Sequence, residues 1–519
     1  MKKKLLVLGL VVAMVFSMAA CGSGGSEDGA AKTNLVIFDS EWYGLDMYQL
    51  DETASAQGLN SSALFQWDPE TNTMRDNVCT NWSVSEDGKT ATFEVPEGML
   101  YSTGEQVEPE DVVASLEHGL KVSPYSDGYS NIQSMDIDGR TVTLHLSEFR
   151  SDMQYYLCAG FVGVIDKDEL DTMSDDELMW GCHPYGMYAL AEGGYVSGSE
   201  VQLVRNDGYV SANPLVENKG AGKFETISIR FNVEEFTQTE ELKSGTADMI
   251  MSVSGDQKLE LDGQENITLA DTTYPNITYF EMNTDSPVFA DINVRKALAL
   301  AIDRDELAEI NDGLIAPAYS MIYDSVQNFS QDAKDWFEKN LANDPEQSKT
   351  LLAEAGWKDT DGDGILEKDG KKLEFTWYAW TGATRTAEKM AEQLKAVGFD
   401  MQIEAIDWNY VYEKINADEY DAGIEWLSWA EPMLVLNCCY YDKNAPGNTE
   451  AYEAKVEKAA HEIDTDKRTE MIGDIQMDIF KNVNMIPMYA ELSFTAHTAA
   501  LKGYNVLSDG TCTWNDMTF

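Results

Sequence analysis

Residues 373–406, "LEFTWYAWTGATRTAEKMAEQLKAVGFDMQIEAI", change their apolar period twice. Phe375, Trp377 and Ala379 alternate with their neighbours, Ala387, Met390 and Leu394 recur at helical spacing, and an alternating run resumes after Gly398. The pattern predicts a strand over 373–380, a helix over 384–397 and a strand over 400–406. Outward from there the alternation continues: helix 346–355 before it, then helix 409–416, strand 420–427 and helices 449–462 and 466–482. Upstream, "TNLVIFDS", "KTATFEV", "RTVTLHL", "EVQLVRN" and "ETISIRF" are short apolar or alternating runs bounded by turns and are predicted strands. "EPEDVVASLEHGL" carries proline and acidic residues where a helix should start. "INVRKALALAIDRDELAEI" predicts one helix of about five turns, capped by Asp291. Helices alternating with strands imply an α/β layer architecture. No internal repeat has a fixed period, and no low-complexity segment follows residue 30.

A chain of 519 residues with 43% hydrophobic and 10% aromatic content can fill the cores of two or three domains. Against 37 basic residues stand 91 acidic ones, a net charge of -54. That field repels phosphate backbones and anionic headgroups, which excludes nucleic acid as a partner; acidity serves solubility first, and it tolerates neutral or cationic ligands better than anionic ones.

At the N-terminus, Lys2, Lys3 and Lys4 precede an apolar run from Leu5 to Phe16, and "SMAAC" ends on Cys21. These are the parts of a secretory signal, too short for a good membrane-spanning helix. Small residues directly before a cysteine resemble a bacterial lipobox, with Met18 in place of the usual leucine, so residues 1–21 are expected to be a lipoprotein signal with Cys21 as the lipidated residue. The alternative is a plain secretory peptide cut at Ala20. Residues 22–33, rich in glycine and serine at their start, are expected to be a flexible tether, and the body is expected at the outer face of the cell membrane, lipid-anchored and monomeric. Export permits disulfides, but the six other cysteines have too many pairings for sequence to choose, and adjacent Cys438 and Cys439 are poorly placed to bridge each other.

Enzyme signatures are missing. None of the five histidines pairs with another at the spacing of a helical zinc site, and there is no G-x-S-x-G elbow, phosphate loop or dinucleotide fingerprint. A secreted hydrolase with an unmarked carboxylate pair is the remaining enzymatic alternative. "DTDGDGILEKDG", 359–370, sets Asp359, Asp361 and Asp363 at the first, third and fifth positions of a calcium loop, but Gly370 stands where the closing glutamate belongs. An acidic turn between a helix and a strand is the preferred reading, with structural calcium as the only candidate cofactor.

The segment "LFQWDPETNTMRDNVCTNWSVSEDGKTATFEVPEGMLYSTGEQVEPEDVVASLEHGL" resembles the opening signature of the family 5 extracellular solute-binding proteins, the peptide and nickel receptors of ABC importers. Trp82, Ser85, Asp87, Gly88, Phe93, Gly98, Gly104, Asp111, Val112 and Ser115 match, while Glu108-Pro109 replaces Thr-Ala and Tyr101 stands at a phenylalanine. "PYGMYAL", "VQLVRNDGY", "ELKSGTADM", "YFEMNTDSPVFADINVRKALALAIDRDEL", "PEQSKTLLAEAGW" and "MIPMYAE" follow in the family's order. The resemblance implies a two-lobed α/β fold of the periplasmic-binding-protein type with ligand enclosed between the lobes. The first lobe would comprise 34–50, 175–275 and 485–519, an inserted subdomain 51–174, and the second lobe 276–484, with crossings near "YPNITYFEMN" and "NVNMIPMYAE". It further implies capture of a solute, most often a peptide, and delivery to a permease with its ATPases, without a bond being made or broken. An oligosaccharide receptor of the same fold is the alternative.

Ligands of open α/β sheets sit beyond the carboxyl ends of strands, which points to "DSEWYG", "WYAWTG" and "EWLSWAEP". The candidate contacts are Trp42, Tyr43, Trp380, Trp408, Glu425, Trp426, Ser428 and Trp429. Peptide receptors of the family place an aspartate just before an E-P or D-P pair, against the peptide's ammonium. Aligning Glu431-Pro432 on that pair puts Ser428 at the aspartate, so Glu425 or Glu431 must supply the charge or the ligand must lack a free amine there.

Overall fold

In Asn34–Phe38, Leu35 and Ile37 have no exposed surface while Asn34 and Val36 keep some, the alternation of a strand with one face on a core. The computed structural model describes residues 32–519 except 72, 327, 418, 429–430, 441–449 and 484. The signal segment, Cys21 and Trp429 lie outside the described residues, as does most of the tether. Asn34–Phe38 lies inside a seven-stranded mixed sheet, parallel to Thr226–Arg230 on one side and to Met249–Ile250 on the other. Glu200–Arg205 and Tyr188–Val196 extend one edge antiparallel; Phe494–Thr498 and Ile267–Asp271 extend the other.

The stretch 373–406 builds part of a second, six-stranded sheet. Glu374–Trp380 and Asp400–Ile406 pair in parallel, Glu374 opposite Asp400 and Trp380 opposite Ile406. The connecting helix Thr384–Lys395 buries Ala387, Met390 and Leu394, and its C-terminal lysine suits the negative pole of the helix. Truncating Leu394, fully buried, to alanine would cost about 2–5 kcal/mol. Ala422–Leu427, Ile277–Met282, Met485–Glu491 and Ile315–Pro317 complete this sheet. Phe280 stacks on Trp377 with ring centroids 5.5 Å apart, tying two of its strands to one core. That core draws only on residues between Ile277 and Tyr489; a separate one draws on residues from Leu35 to Met251 and from Leu501 to Met517. Inserted after the first strand, Thr80–Val84, Thr90–Glu94, Thr141–Leu146 and Ile132–Asp138 form a four-stranded antiparallel sheet backed by the helix Pro109–Val122.

Two expectations are corrected. The single five-turn helix after Asp291 is two helices, Ile292–Ala301 and Arg304–Ile310: Ile302 is extended and the Asp303 carboxylate accepts the Glu306 N–H at 3.0 Å, so a second cap outcompetes continuation. The returning segment does not begin at 485. Met485–Glu491 pairs with both Ile277–Met282 and Ile315–Pro317, and its residues through Ala490 are buried on both faces, which requires an interior strand of the second sheet. The chain returns to the first sheet only at Phe494.

The two crossings, from Asp271 to Ile277 and from Glu491 to Phe494, are hydrogen-bonded to each other. Thr272 N–H donates to Ser493 C=O at 2.9 Å, and Ser493 N–H donates to Thr273 Oγ1 at 3.2 Å. Asn276, 1% exposed, accepts the Glu491 N–H at 2.8 Å and donates its amide to the Glu491 C=O at 2.9 Å. Among the described residues no helix is long and apolar enough to cross a membrane.

Candidate functional site

Trp426 belongs to Ala422–Leu427 and pairs across the sheet with Thr278, two residues past the Asn276 crossing. Its indole meets the ring of Tyr274, from the crossing itself, edge-on with centroids 6.4 Å apart and planes at 86°. The indole Nε1 is buried and finds no acceptor among the described residues. Tyr274 is 38% exposed, and the segment after the second crossing backs it: a Cβ added to Gly510, whose φ is +81°, would lie 2.7 Å from Tyr274 Cα. A pair of aromatic rings, one with a buried indole donor that is unpaired among the described residues, therefore stands where the chain passes between the two sheets. Tyr274 was missed by sequence reasoning, although it lies within a quoted crossing, because a lone tyrosine in a turn carries no periodic signal.

The other expected contacts separate. Trp42 is a correction: at 1% exposure it is part of the first core, because the turn after Phe38 folds it inward and leaves Tyr43, 57% exposed, outside. Trp380 is half-buried and lies over Gly382, where any Cβ would collide with its ring. Glu425 is buried and Ser428 half-buried at the end of the Trp426 strand. Trp408 opens the helix Trp408–Asn416, but its side chain, like all of Trp429, lies outside the described residues. Cys79, Cys158, Cys182 and Cys512 are free thiols.

Two carboxyls are strongly perturbed. Asp39, directly after the first strand, is pushed to about 6 by burial, against the pull of the backbone N–H groups of Ala56 and Ser40 that it accepts at 2.8 Å each. Glu431 has no exposed surface and is pushed to about 8 by burial and by the Asp152 carboxylate, with Arg468 acting in the opposite sense. One of its oxygens accepts the Leu434 N–H at 3.0 Å, capping the helix Pro432–Tyr440. Burial thus favours the protonated form of Glu431, which weakens it as one of the two expected countercharges. Asp152 comes from the inserted region, held by Arg150 through bonds of 3.2 and 2.8 Å, and nearby Glu148 lies 3.3 Å from His461.

The acidic loop gains a fourth member. Oxygens of Asp359, Asp361, Asp363 and Glu367 all lie within 4.8 Å of one another, and Glu367 falls at the ninth position of the calcium-loop pattern, which sequence reasoning passed over while seeking the twelfth. Backbone N–H groups of Gly362 and Gly364 bond Asp359 at 2.6 and 3.2 Å, and Lys372 pairs with Asp363. These bonds fit an acidic turn, and the same four carboxylates lie close enough together to hold a metal ion.

Residues 73–446 match the model of the bacterial extracellular solute-binding proteins, family 5 Middle. The oligopeptide-binding protein AppA of Bacillus subtilis (strain 168) is 22% identical over 460 residues, 83% of this chain and 81% of its own. The glutathione-binding protein GsiB of Escherichia coli (strain K12) is 24% identical over 534 residues, 97% of this chain and 96% of its own. Among solved structures, NikA from Brucella suis in complex with Fe(III)-EDTA superposes with a TM-score of 0.79 at 18% identity, covering 93% of this chain and 99% of that one. Its likeness is one of fold. With the family model spanning most of its length and the lobes arranged as that family requires, the chain belongs to the family 5 bacterial extracellular solute-binding proteins.

Proposed function

We propose that the protein captures peptides outside the cell and passes them to an ABC permease with its ATPases, while a lipid on Cys21 holds it to the outer face of the membrane. The observation that carries the binding site is Trp426, an indole with a buried, open Nε1 set edge-on to Tyr274 at the crossing between lobes. Peptide is preferred over oligosaccharide because relatives that align along most of the chain are named for an oligopeptide and for glutathione. Capture requires no cofactor. Calcium at Asp359, Asp361, Asp363 and Glu367 would brace a turn of the second lobe, apart from Trp426 in the sequence.

Mass spectrometry of small molecules released by denaturing the purified, never-refolded protein tests the reading, followed by calorimetry with the recovered ligand. A peptide is expected, and Trp426→Ala should weaken its binding by roughly 1–3 kcal/mol, the range for burying an aromatic face plus one hydrogen bond. Recovery of a sugar, or a Trp426→Ala variant that binds peptide as well as the parent, would overturn it.

A further inference from the structure

A cavity of about 250 Å³ lies where the inserted region, the first lobe and the C-terminal segment meet. Ser61, Ser62, Gln66 and Asn77 line it from the inserted region, Tyr209 and Asn213 from the first lobe, and the chain from Gly510 to Asn515 closes it. It is smaller than the roughly 300–1,000 Å³ that hold a whole ligand, so it suits one group of a larger one. Through Gly510 its wall rests against Tyr274, the residue on which Trp426 sits, so it adjoins the candidate site.

The lining is set apart by its chemistry: in a chain where 25% of residues are charged, none of the residues lining this cavity is Asp, Glu, Lys, Arg or His. Hydroxyls and side-chain amides supply donors and acceptors together. Asn213 accepts the Leu215 N–H at 2.9 Å and leaves its amide only a long 3.4 Å contact to Gln66; Ser62 and Tyr209 share one bond at 3.2 Å. Two carboxylates bond to the chain around the cavity without lining it: Asp39 accepts from Ala56 N–H, and Asp509 accepts from Thr511 N–H at 3.0 Å. A charged group entering would leave water without meeting an opposite charge, whereas a neutral amide or hydroxyl would exchange its water for these partners.

We infer that this cavity is a subsite for one uncharged, hydrogen-bonding side chain of the captured peptide, and that it selects against charged side chains at that position. The inference rests on the peptide reading above. Three tripeptides, Ala-Gln-Ala, Ala-Glu-Ala and Ala-Lys-Ala, measured by calorimetry on the full soluble body, test it. Ala-Gln-Ala is expected to bind at least about tenfold more tightly than either charged peptide, the scale of one unpaired buried polar group or more. Two variants probe the cavity. Gly160 lines it and has nothing within 4 Å of an added Cβ, so Gly160→Phe can enter the space without a clash and should bring the three affinities together. Asn213→Asp keeps the acceptor used by Leu215 and adds a charge to the lining, so it should move the preference from Gln to Lys. Equal affinities for the three peptides in the parent protein would sink the subsite and leave the peptide reading standing. A parent that binds none of them while releasing a sugar on denaturation would overturn both. A preference for Gln that survives Gly160→Phe and Asn213→Asp unchanged would place the selection elsewhere and refute the assignment to this cavity.

Discussion

Asn276→Ala tests the paired crossings. The Asn276 side chain makes three hydrogen bonds at 1% exposure: to the Tyr274 C=O at 2.9 Å, to the Glu491 C=O at 2.9 Å, and from the Glu491 N–H at 2.8 Å. Alanine removes all three and leaves the Glu491 N–H and C=O and the Tyr274 C=O without this partner. At about 1 kcal/mol per bond the expected loss is about 2–4 kcal/mol. An unfolding entropy near 2.1 cal/mol/K per residue gives a chain of 519 residues about 1 kcal/mol/K, so the midpoint should fall by about 2–4 °C. Calorimetric melting without ligand measures this directly. Asn276→Asp is the companion: it keeps the acceptor for Glu491 N–H, loses both donated bonds, and sets a carboxylate beside Glu491, whose own carboxyl burial already pushes up. It should therefore destabilise at least as much as alanine at pH 8 and less at pH 5. An Asn276→Ala midpoint within a degree of the parent's would show that the two crossings are not held by this side chain.

Glu431 makes stability depend on pH. Its folded value of about 8 lies above the ordinary 4.5, so folding favours the proton; the stability is full below about 4.5 and is lost as pH rises through 8. Glu431→Gln, which can still accept from Leu434, should flatten that slope and exceed the parent in stability by on the order of a few kcal/mol at pH 9, with little difference at pH 4; denaturant melts at the two pH values decide. Cys21→Ala should release the protein into the medium or leave it unprocessed, and fatty-acid labelling that survives the change would remove the anchor. Chelation of divalent cations should leave ligand affinity unaltered in calorimetry, whereas a loss of affinity would give the loop at Asp359 a part in capture.

Much of the architecture was legible because local and global demands agree. Glu374–Trp380, Thr384–Lys395 and Asp400–Ile406 lie within two residues of where period alone put them, each element burying the face its sequence makes apolar. The misses share a cause in partners distant along the chain. Met485–Glu491 could be assigned to either sheet until its neighbours were known, since a strand apolar on both faces fits the interior of any sheet. Trp42 and Tyr43 are adjacent aromatics after one strand, and only the packing of the turn decides which is core. Glu431 sits in the family's pattern as an acid, yet Asp152, from the inserted region, is what helps keep its proton on. The uncharged cavity escaped entirely, because its polar residues come from stretches far apart in the chain and none forms a motif.

Contacts between the inserted region and the second lobe differ in kind from those at the crossings. At the crossings the bonds join backbone to backbone, to the Thr273 hydroxyl or to the neutral amide of Asn276. At the other contact lie Asp152 and Glu431, Glu148 and His461, with Leu434 against the first core and Ile463 beside Gly88. If the lobes open about the crossings, those carboxyls would rehydrate while the Asn276 bonds stay intact, which would tie proton binding to one contact and the hinge to the other. Among the described residues, Asn276 and Glu431 share no hydrogen-bond partner. Their effects should therefore add: the Asn276→Ala, Glu431→Gln double variant should differ from the sum of the singles by less than about 0.5 kcal/mol at pH 5 and at pH 9. A larger coupling, and above all one that changes with pH, would mean that the protonation of Glu431 is felt at the crossings and that contact and hinge move as one unit.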